Sequence, residues 1–358
     1  VSMGICAEGG TPGLFRAPGC ILVPSSGLIS SFSWSAGRDH PMRIIEKKNS
    51  SEASGGQEPI KDPLQSVEEW QSYKEEKAKM ESEDPNWTPV DPDKKEEEFR
   101  NYNKNPRYER VRNFYRLNHL NQTYDFVVKM KKKYAKLSRM EMGLWEALEL
   151  LDTYVDDSDP DTNLSQLMHA LQTAEAVRAK YPGEEYDWYH LTGLIHDMGK
   201  FLGSVYGEEQ WCVVGDTFPV GCKFSDKIEF SEFFKHNKDV NDAKLSSKLG
   251  VYKEGCGLSN VLMSYGHDEY MYQVCVQNNC KLPLQALYMI RFHSFYPWHK
   301  EGEYMHLCDE QDLAMLKWVK DFNQFDLYSK ADEIPNRKEL IKYYKGLVKK
   351  YFPEKMKW

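Results

Sequence analysis

The stretch YHLTGLIHDMGK, residues 189–200, constrains the fold more than any other part of this sequence. Its apolar residues recur at the i, i+3, i+4, i+7 spacing of a helix that buries one face: Leu191, Leu194, Ile195 and Met198. His196 and Asp197 lie at the end of this helix, and Lys200 follows three residues after Asp197. A continuing helical turn would place these three side chains side by side. An imidazole, a carboxylate and an ammonium group together suggest a site for a metal ion and an anion.

The length and composition limit the number of domains and the kind of partner that this protein can have. The chain has 358 residues, 41% of them hydrophobic, which is enough for the core of one large or two ordinary domains. The net charge is -8 and the sequence pI is about 5.8. An acidic protein of this kind is not expected to bind nucleic acid or an anionic membrane, and no apolar run approaches the roughly 20 residues of a membrane span. We therefore expect a small-molecule partner.

The eight cysteines show neither CxxC pairs nor zinc-finger spacing. A disulfide scaffold and a thiolate metal site are both disfavoured, and reduced thiols in the cytoplasm are the simplest interpretation. Residues 1 to about 60 are rich in Gly, Ser and Pro and show no sustained periodicity, which is typical of disorder. A transit peptide is the alternative, favoured by the serine content and Arg16 and disfavoured by Glu8 and Asp39. We divide the chain into a disordered or loosely ordered extension, 1–85, and a compact domain, 86–358.

Nearly every periodic segment of the compact domain predicts a helix, so the predicted fold class is all-α. The apolar stripes that carry this prediction are Leu144, Ala147, Leu148 and Leu151; Leu164, Leu167, Met168 and Leu171; Leu258, Val261, Leu262 and Tyr265; and Met315, Trp318, Val319, Phe322 and Phe325. The segment WCVVGDTFPVGC predicts a short strand or a structured loop with Gly215 and Asp216 at its bend. Residues 223–247 are polar and turn-rich and suggest a surface excursion.

The turn VDDSDPDTN carries carboxylates at Asp157, Asp159 and Asp161, as the opening of a calcium loop does. The sixth position is Thr162 instead of glycine and the twelfth is Met168 instead of glutamate. Calcium is therefore disfavoured, and a solvated turn that caps the next helix is the preferred interpretation.

Metal-ligating residue types recur along the helical segments. One histidine near an apolar face is usually a hydrogen-bonded structural residue, but five segments with the same chemistry are hard to explain by packing. Asp326 extends the stripe that ends at Phe325, where a carboxylate needs a cation. The predicted ligands are His169, His196, Asp197, His267, His293 and Asp326. Six nitrogen and oxygen donors fit two iron or manganese ions better than one tetrahedral zinc ion. Asp268, His190, His299 and His306 are left as less favoured candidates.

Eight segments together resemble the myo-inositol oxygenase family of the HD-domain superfamily. They are FRNY, LLDTYVDDSDPD, HALQTAEAVR, HLTGLIHDMGK, VVGDTFPVGC, SYGHDEYMYQV, YMIRFHSFYPWH and FNQFDLYSK. The resemblance runs from about Phe99 to the C-terminus and implies an all-helical HD-type bundle around a non-haem di-iron centre. It also implies that His169, His196, Asp197 and Asp326 hold one iron, that Asp197, His267 and His293 hold the other, and that Asp197 bridges the two.

The resemblance further implies a reaction. Members of the family oxidise myo-inositol with dioxygen as co-substrate to D-glucuronate, cleaving the ring between C1 and C6, from a mixed-valent Fe(II)/Fe(III) pair. Asp197 and Lys200 would be catalytic, with Lys200 stabilising alkoxide charge. The implied substrate-binding residues are Arg100, Asp156, Asp157, Ser158, Lys200, Gly215, Asp216, His293, Ser294 and Lys330. We expect a monomer with no nucleic-acid or membrane partner.

Two other functions remain open from the sequence. Other HD-domain proteins cleave phosphate esters, and the group His196, Asp197 and Lys200 would suit a phosphate as well as a polyol. A non-catalytic binding protein with the same fold is the second alternative, and it would be expected to lack one of the metal ligands.

Overall fold

The computed structural model describes residues 108–151, 166–328 and 337–358. The predicted N-terminal extension, the start of the compact domain and the acidic turn at 155–163 lie outside the described residues. So do five predicted substrate-binding residues: Arg100, Asp156, Asp157, Ser158 and Lys330. All described residues belong to one compact unit.

The described part of the chain is mostly helical, which confirms the predicted all-α class. The α-helices are α1 (Tyr108–Asn121), α2 (Tyr124–Tyr134), α3 (Leu144–Leu151), α4 (Gln166–Lys180), α5 (Asp187–Ile195), α6 (Phe201–Ser204), α7 (His267–Gln277), α8 (Leu284–Phe292), α9 (Tyr296–His299), α10 (Glu310–Tyr328) and α11 (Arg337–Tyr351). Short 3-10 helices cover Glu184–Tyr186, His196–Lys200, Gln210–Cys212, Ser231–His236, Lys238–Asn241, Leu258–Asn260 and Met305–Leu307. The two-residue strands β1 (Glu141–Met142) and β2 (Met356–Lys357) pair antiparallel, with Glu141 opposite Lys357.

The helices that matter most for function pack around the 3-10 turn His196–Lys200. Helix α5 leads directly into this turn and packs along α4, while α7 packs against the turn and against α8, and α10 packs against α8. Every residue of the turn is buried, as are the apolar residues predicted to face the core on α5. The predicted helix therefore continues past Ile195, but as a tighter 3-10 turn.

The stripe predicted for the last helix is confirmed. Met315, Trp318, Val319, Phe322 and Phe325 on α10 are all buried, as i, i+3, i+4, i+7 spacing requires. The stripe Leu144, Ala147, Leu148 and Leu151 is likewise buried on α3.

The helix predicted over Leu258–Tyr265 is wrong. Only Leu258–Asn260 is helical, as a 3-10 turn, and α7 begins at His267. The chain between them pairs with the loop that precedes it: the Val220 amide donates to the Leu262 carbonyl, 2.9 Å, and the Ser264 amide to the Phe218 carbonyl, 2.7 Å. Leu258, Val261 and Tyr265 are buried as expected and Leu262 is half-buried, but partners distant in sequence impose an extended backbone on the residues that follow Asn260.

Residues 211–222 form the structured loop that was one of the two alternatives, and Gly215 lies at its bend with a φ of 86°, a conformation that favours glycine. Residues 223–247 are turns and 3-10 helices, but they are not a purely polar excursion. Phe233 and Phe234 are buried, and the buried Asn237 side chain donates to the carbonyls of His119 and Gln122, which anchors the segment to the end of α1.

The six cysteines among the described residues are free thiols: Cys212, Cys222, Cys256, Cys275, Cys280 and Cys308. None of the helices described has the length and apolarity that crossing a lipid bilayer requires.

Helix α10 carries a buried carboxylate that gives the protein a testable pH dependence. Asp321 accepts hydrogen bonds from the hydroxyls of Tyr189, 2.7 Å, and Tyr181, 3.0 Å. Burial raises the pKa of Asp321 from 3.8 to about 6, and these hydroxyls and Lys180 offset only part of the rise. Because the folded-state pKa is raised, the group's contribution to stability is present below pH 3.8 and lost as the pH rises through 6.

Asp321→Asn removes this titration. We expect the free energy of unfolding of the variant, relative to the wild type, to increase by about 2.5 kcal/mol between pH 4 and pH 8, since each pKa unit corresponds to about 1.4 kcal/mol and the unfolded carboxyl is already partly ionised at pH 4. Urea denaturation of both proteins across this range measures the difference, in which all other titrating groups cancel. A curve for Asp321→Asn that runs parallel to that of the wild type would contradict the prediction.

Candidate metal centre

Four of the predicted ligands meet where α4, the 3-10 turn and α10 come together. Asp326 Oδ1 lies 3.0 Å from His196 Nε2 and 3.1 Å from His169 Nε2. Asp197 Oδ2 lies 3.5 Å from His196 Nε2 and 3.6 Å from His169 Nε2. The structure thus assembles two imidazoles and two carboxylates from three separate helical elements into one cluster, called here the first cluster.

The other oxygen of Asp197 faces a second cluster. Asp197 Oδ1 lies 3.3 Å from His267 Nε2, at the start of α7, and 3.6 Å from His293 Nε2, just after α8. The two Nε2 atoms are 3.2 Å apart. One carboxylate therefore contributes a different oxygen to each of two clusters, which is the arrangement of a bridging ligand.

Backbone hydrogen bonds fix which imidazole nitrogen points into each cluster. The Nδ1 atoms of His196 and His267 each lie 2.8 Å from a carbonyl oxygen, of Gly193 and Val213, and His293 Nδ1 lies 3.2 Å from the Met289 carbonyl. A carbonyl only accepts, so in the neutral imidazoles the proton is assigned to Nδ1 and the Nε2 lone pair faces the cluster. Lone pairs and carboxylate oxygens at these distances repel unless a cation lies between them. This pattern is the one that orients histidine ligands of metals.

The spacing of the donor atoms fits a six-coordinate ion. Two donors about 2.1 Å from an octahedral metal and at right angles to each other are about 3.0 Å apart. The observed separations of 3.0–3.6 Å in both clusters are close to this value. The donors are imidazole nitrogens and carboxylate oxygens without a thiolate, a set that suits iron or manganese. The residues present therefore fit two iron ions.

Electrostatics favour cations in both clusters. Burial alone would raise the pKa of Asp197 and Asp326, but Lys200 and His196 hold the pKa of Asp197 well below its usual range, and His196 with His169 does the same for Asp326. Burial would lower the pKa of His267, but Asp268 and Asp197 raise it to about 10, so a cation between these groups, either a proton or a metal ion, is favoured. The carboxylates stay ionised, so the centre attracts positive charge.

Lys200 lies against the bridging carboxylate. Its ammonium group is buried and donates to Asp197 Oδ2 over 2.7 Å, the i, i+3 contact expected from the sequence. A buried cation bonded to the central ligand is placed to act on charge that develops at the centre.

One more predicted residue, Ser294, lies beside the second cluster, and the loop that carries Gly215 and Asp216 is bonded to it. Ser294 follows His293, and its Oγ is 3.3 Å from His267 Nε2. The loop of Gly215 and Asp216 reaches the same place, because the Thr217 amide donates to the Ser294 carbonyl, 2.9 Å. Asp216 is buried and accepts from the Tyr115 hydroxyl on α1, 3.0 Å.

The less favoured candidates divide into two kinds. His190 contacts the Tyr343 hydroxyl and the Tyr181 carbonyl, His299 contacts the His293 carbonyl, and the half-buried His306 contacts the Lys248 carbonyl. Asp268 is different, since its Oδ1 lies 2.8 Å from His267 Nε2 and 3.5 Å from His293 Nε2. The sequence carried a signal for it: His267 and Asp268 repeat the His-Asp pair formed by His196 and Asp197.

Comparison with known proteins agrees with this geometry. The family model described as myo-inositol oxygenase matches residues 108–358. An inositol oxygenase of Dictyostelium discoideum is 55% identical over 268 residues, covering 74% of this chain and 91% of the relative. A probable inositol oxygenase of Oryza sativa subsp. japonica is 53% identical over 263 residues, covering 73% and 85%. An inositol oxygenase of Rattus norvegicus is 48% identical over 272 residues, covering 75% and 94%.

The chain belongs to the myo-inositol oxygenase family. This confirms the family inferred from the eight sequence segments, and the phosphohydrolase alternative is not favoured. As a member of the myo-inositol oxygenase family, the chain is an oxygenase. The His and Asp clusters described above lie within the residues that the family match covers.

Proposed function

We propose that this enzyme cleaves the ring of myo-inositol with dioxygen to give D-glucuronate, using two iron ions in a mixed-valent Fe(II)/Fe(III) state. The single observation that carries the proposal is the bridging position of Asp197, whose two oxygens face two separate groups of imidazole nitrogens. When bound, an iron pair supplies redox capacity to activate dioxygen and Lewis acidity to acidify a substrate hydroxyl.

Each of the two ions would have its own set of histidine ligands. His169, His196 and Asp326 would hold one ion and His267 and His293 the other, with Asp197 between them. The backbone carbonyls that accept from the Nδ1 atoms keep the Nε2 atoms aimed inward, so the centre is already shaped before an ion arrives. His293 precedes Ser294 in the chain, so the second ion would lie next to a residue assigned to the polyol.

The proposed substrate site follows from hydrogen-bond chemistry. Myo-inositol is uncharged and presents six hydroxyls, each both donor and acceptor, so a discriminating site needs carboxylates interleaved with cations. Ser294 lies beside the second cluster, and the Thr217 amide joins it to the loop that carries Gly215 and Asp216. Lys200 would stabilise negative charge on the substrate oxygen that loses its proton. Roles for Arg100, Asp156, Asp157, Ser158 and Lys330 stay predictions from the sequence, as do a monomeric state and a cytoplasmic location.

Oxygen uptake tests the proposal. The full chain, loaded anaerobically with Fe(II), should consume one O2 for each myo-inositol converted, since C6H12O6 and O2 give glucuronic acid, C6H10O7, and one water. D-glucuronate is quantified in the same reaction, and iron-free protein and reactions without inositol are the controls. Phosphate release from nucleotides without oxygen uptake would instead establish the hydrolase alternative. Metal analysis that finds no iron after loading would also contradict the proposal.

A further inference from the structure

Asp268 holds Ser294 at two points. Its Oδ2 accepts from the Ser294 amide, 3.2 Å, and its Oδ1 accepts from the Ser294 hydroxyl, 3.1 Å. Asp268 is only 1% exposed, and its Oδ1 also lies 2.8 Å from His267 Nε2 and 3.5 Å from His293 Nε2. None of the roles proposed above uses this residue.

These two hydrogen bonds determine the direction of the Ser294 O–H bond. Ser294 Oγ carries one hydrogen and lies near two polar atoms, Asp268 Oδ1 at 3.1 Å and His267 Nε2 at 3.3 Å. The charged acceptor is the nearer of the two, and hydrogen bonds to ionised groups are about twice as strong as neutral ones. The hydrogen therefore goes to Asp268, and the oxygen of Ser294 presents only lone pairs to any other partner.

The position of Ser294 makes this polarity relevant to a ligand. Its hydroxyl lies against His267 of the second cluster, and its carbonyl receives the Thr217 amide from the loop that carries Asp216. A polyol hydroxyl that meets Ser294 in this place has to donate its hydrogen. A ligand group that only accepts hydrogen bonds would face an opposing lone pair and bind less well.

We propose that Asp268 is a positioning residue for the polyol site, and that it fixes the Ser294 hydroxyl as a hydrogen-bond acceptor toward a donor hydroxyl of the substrate. This inference rests on the proposed function, because it takes myo-inositol as the ligand. It assigns Asp268 a role that acts through Ser294, distinct from that of a metal ligand.

A double-mutant cycle tests the inference. The variants are Asp268→Asn, Ser294→Ala and the pair together. An asparagine amide nitrogen donates where the carboxylate accepted, so it would turn the serine hydrogen toward the ligand. We expect each single variant to raise KM for myo-inositol about 10-fold, the cost of one hydrogen bond, with kcat within about twofold and two irons per chain. KM of the double variant for myo-inositol should also rise about 10-fold and no further, because the effect of Asp268 on binding passes through Ser294.

Several outcomes would overturn the inference. If KM of the double variant for myo-inositol rose by the product of the two single increases, Asp268 would act independently of Ser294. Loss of one iron in Asp268→Asn would make Asp268 a metal ligand, and unchanged KM in the single variants would remove any role in binding. These failures are distinguishable from failure of the proposed function, which would appear as wild-type protein that neither binds nor oxidises inositol.

A second measurement requires no change at Asp268 and therefore holds even if Asp268→Asn does not fold. Inositols in which one hydroxyl is replaced by fluorine, which accepts but does not donate, are compared as competitive inhibitors of the wild type and of Ser294→Ala. At one ring position the fluorinated analogue should bind the wild type about 10-fold more weakly than myo-inositol, and Ser294→Ala should abolish that difference. A pattern of inhibition that is the same in both proteins would overturn the inference.

Discussion

Asp326→Asn is expected to reduce the iron content from two ions per chain to one and to abolish inositol-dependent oxygen uptake. Asp326 Oδ1 is the atom closest to both histidines of the first cluster, 3.0 Å from His196 Nε2 and 3.1 Å from His169 Nε2. An amide has no negative charge to offset an iron ion and is a much weaker donor than a carboxylate. We expect turnover to fall by at least about 10³-fold, the loss that follows removal of one charge-stabilising group from an active site.

Metal analysis and thermal unfolding measure this effect separately from activity. Iron that binds the folded state raises the melting temperature, so the rise produced by iron should be smaller in Asp326→Asn than in the wild type. Asp321→Asn is the matched control, because Asp321 is a buried carboxylate on the same helix that bonds tyrosine hydroxyls instead of histidines. It should retain two irons. Full iron content in Asp326→Asn would remove this residue from the centre and, with it, the first cluster as a metal site.

Gly199→Ala is expected to damage the second cluster through the backbone. A Cβ at position 199 would lie 1.9 Å from the His267 carbonyl oxygen and 2.6 Å from the His267 Cα. No rotamer change relieves contacts with backbone atoms, so the 3-10 turn and the start of α7 have to separate. Overpacking of this kind typically costs about 1–3 kcal/mol in the free energy of unfolding. Because the atoms that must move belong to His267, we also expect loss of the second iron.

Gly346→Ala on α11 provides the comparison for this change. Nothing lies within 4 Å of a Cβ at that position, so only helix propensity changes, and the variant should be more stable by about 0.5–1 kcal/mol. Urea denaturation measures both free energies, and metal analysis follows the iron. A Gly199→Ala protein with wild-type stability and two irons would show that the turn and α7 tolerate separation, contrary to the close contact described here.

Features of the centre that depend on one helical segment could be predicted from the sequence. The spacing of Met315, Trp318, Val319, Phe322 and Phe325 predicted both the helix and its buried face, and it placed Asp326 where an uncompensated carboxylate would be costly. The three-residue step from Asp197 to Lys200 predicted their contact. These predictions depended on intervals within one helical segment, which the backbone geometry of a helix fixes without any tertiary contact.

Predictions that depended on partners elsewhere in the chain were less complete. Leu258–Tyr265 has a helical pattern, yet it lies extended because its amides and carbonyls pair with Phe218 and Val220. Asp268 was set aside, although its two-point contact with Ser294 joins elements 26 residues apart in the chain. Neither spacing nor propensity carries information about contacts of this kind, because they form only when separate helices have packed.

The sequence by itself determined the helical class and the family, and it predicted the six metal-ligating side chains, because helix periodicity and donor chemistry are properties of short segments. Only the tertiary structure decided how those side chains are arranged in two clusters. In the folded domain the two oxygens of Asp197 face different clusters. Contacts between the Nδ1 atoms and backbone carbonyls orient the imidazole Nε2 atoms toward the clusters. The reason is physical: a donor's direction depends on the packing of α4, α7, α8 and α10 around one turn, and that packing is a property of the whole domain.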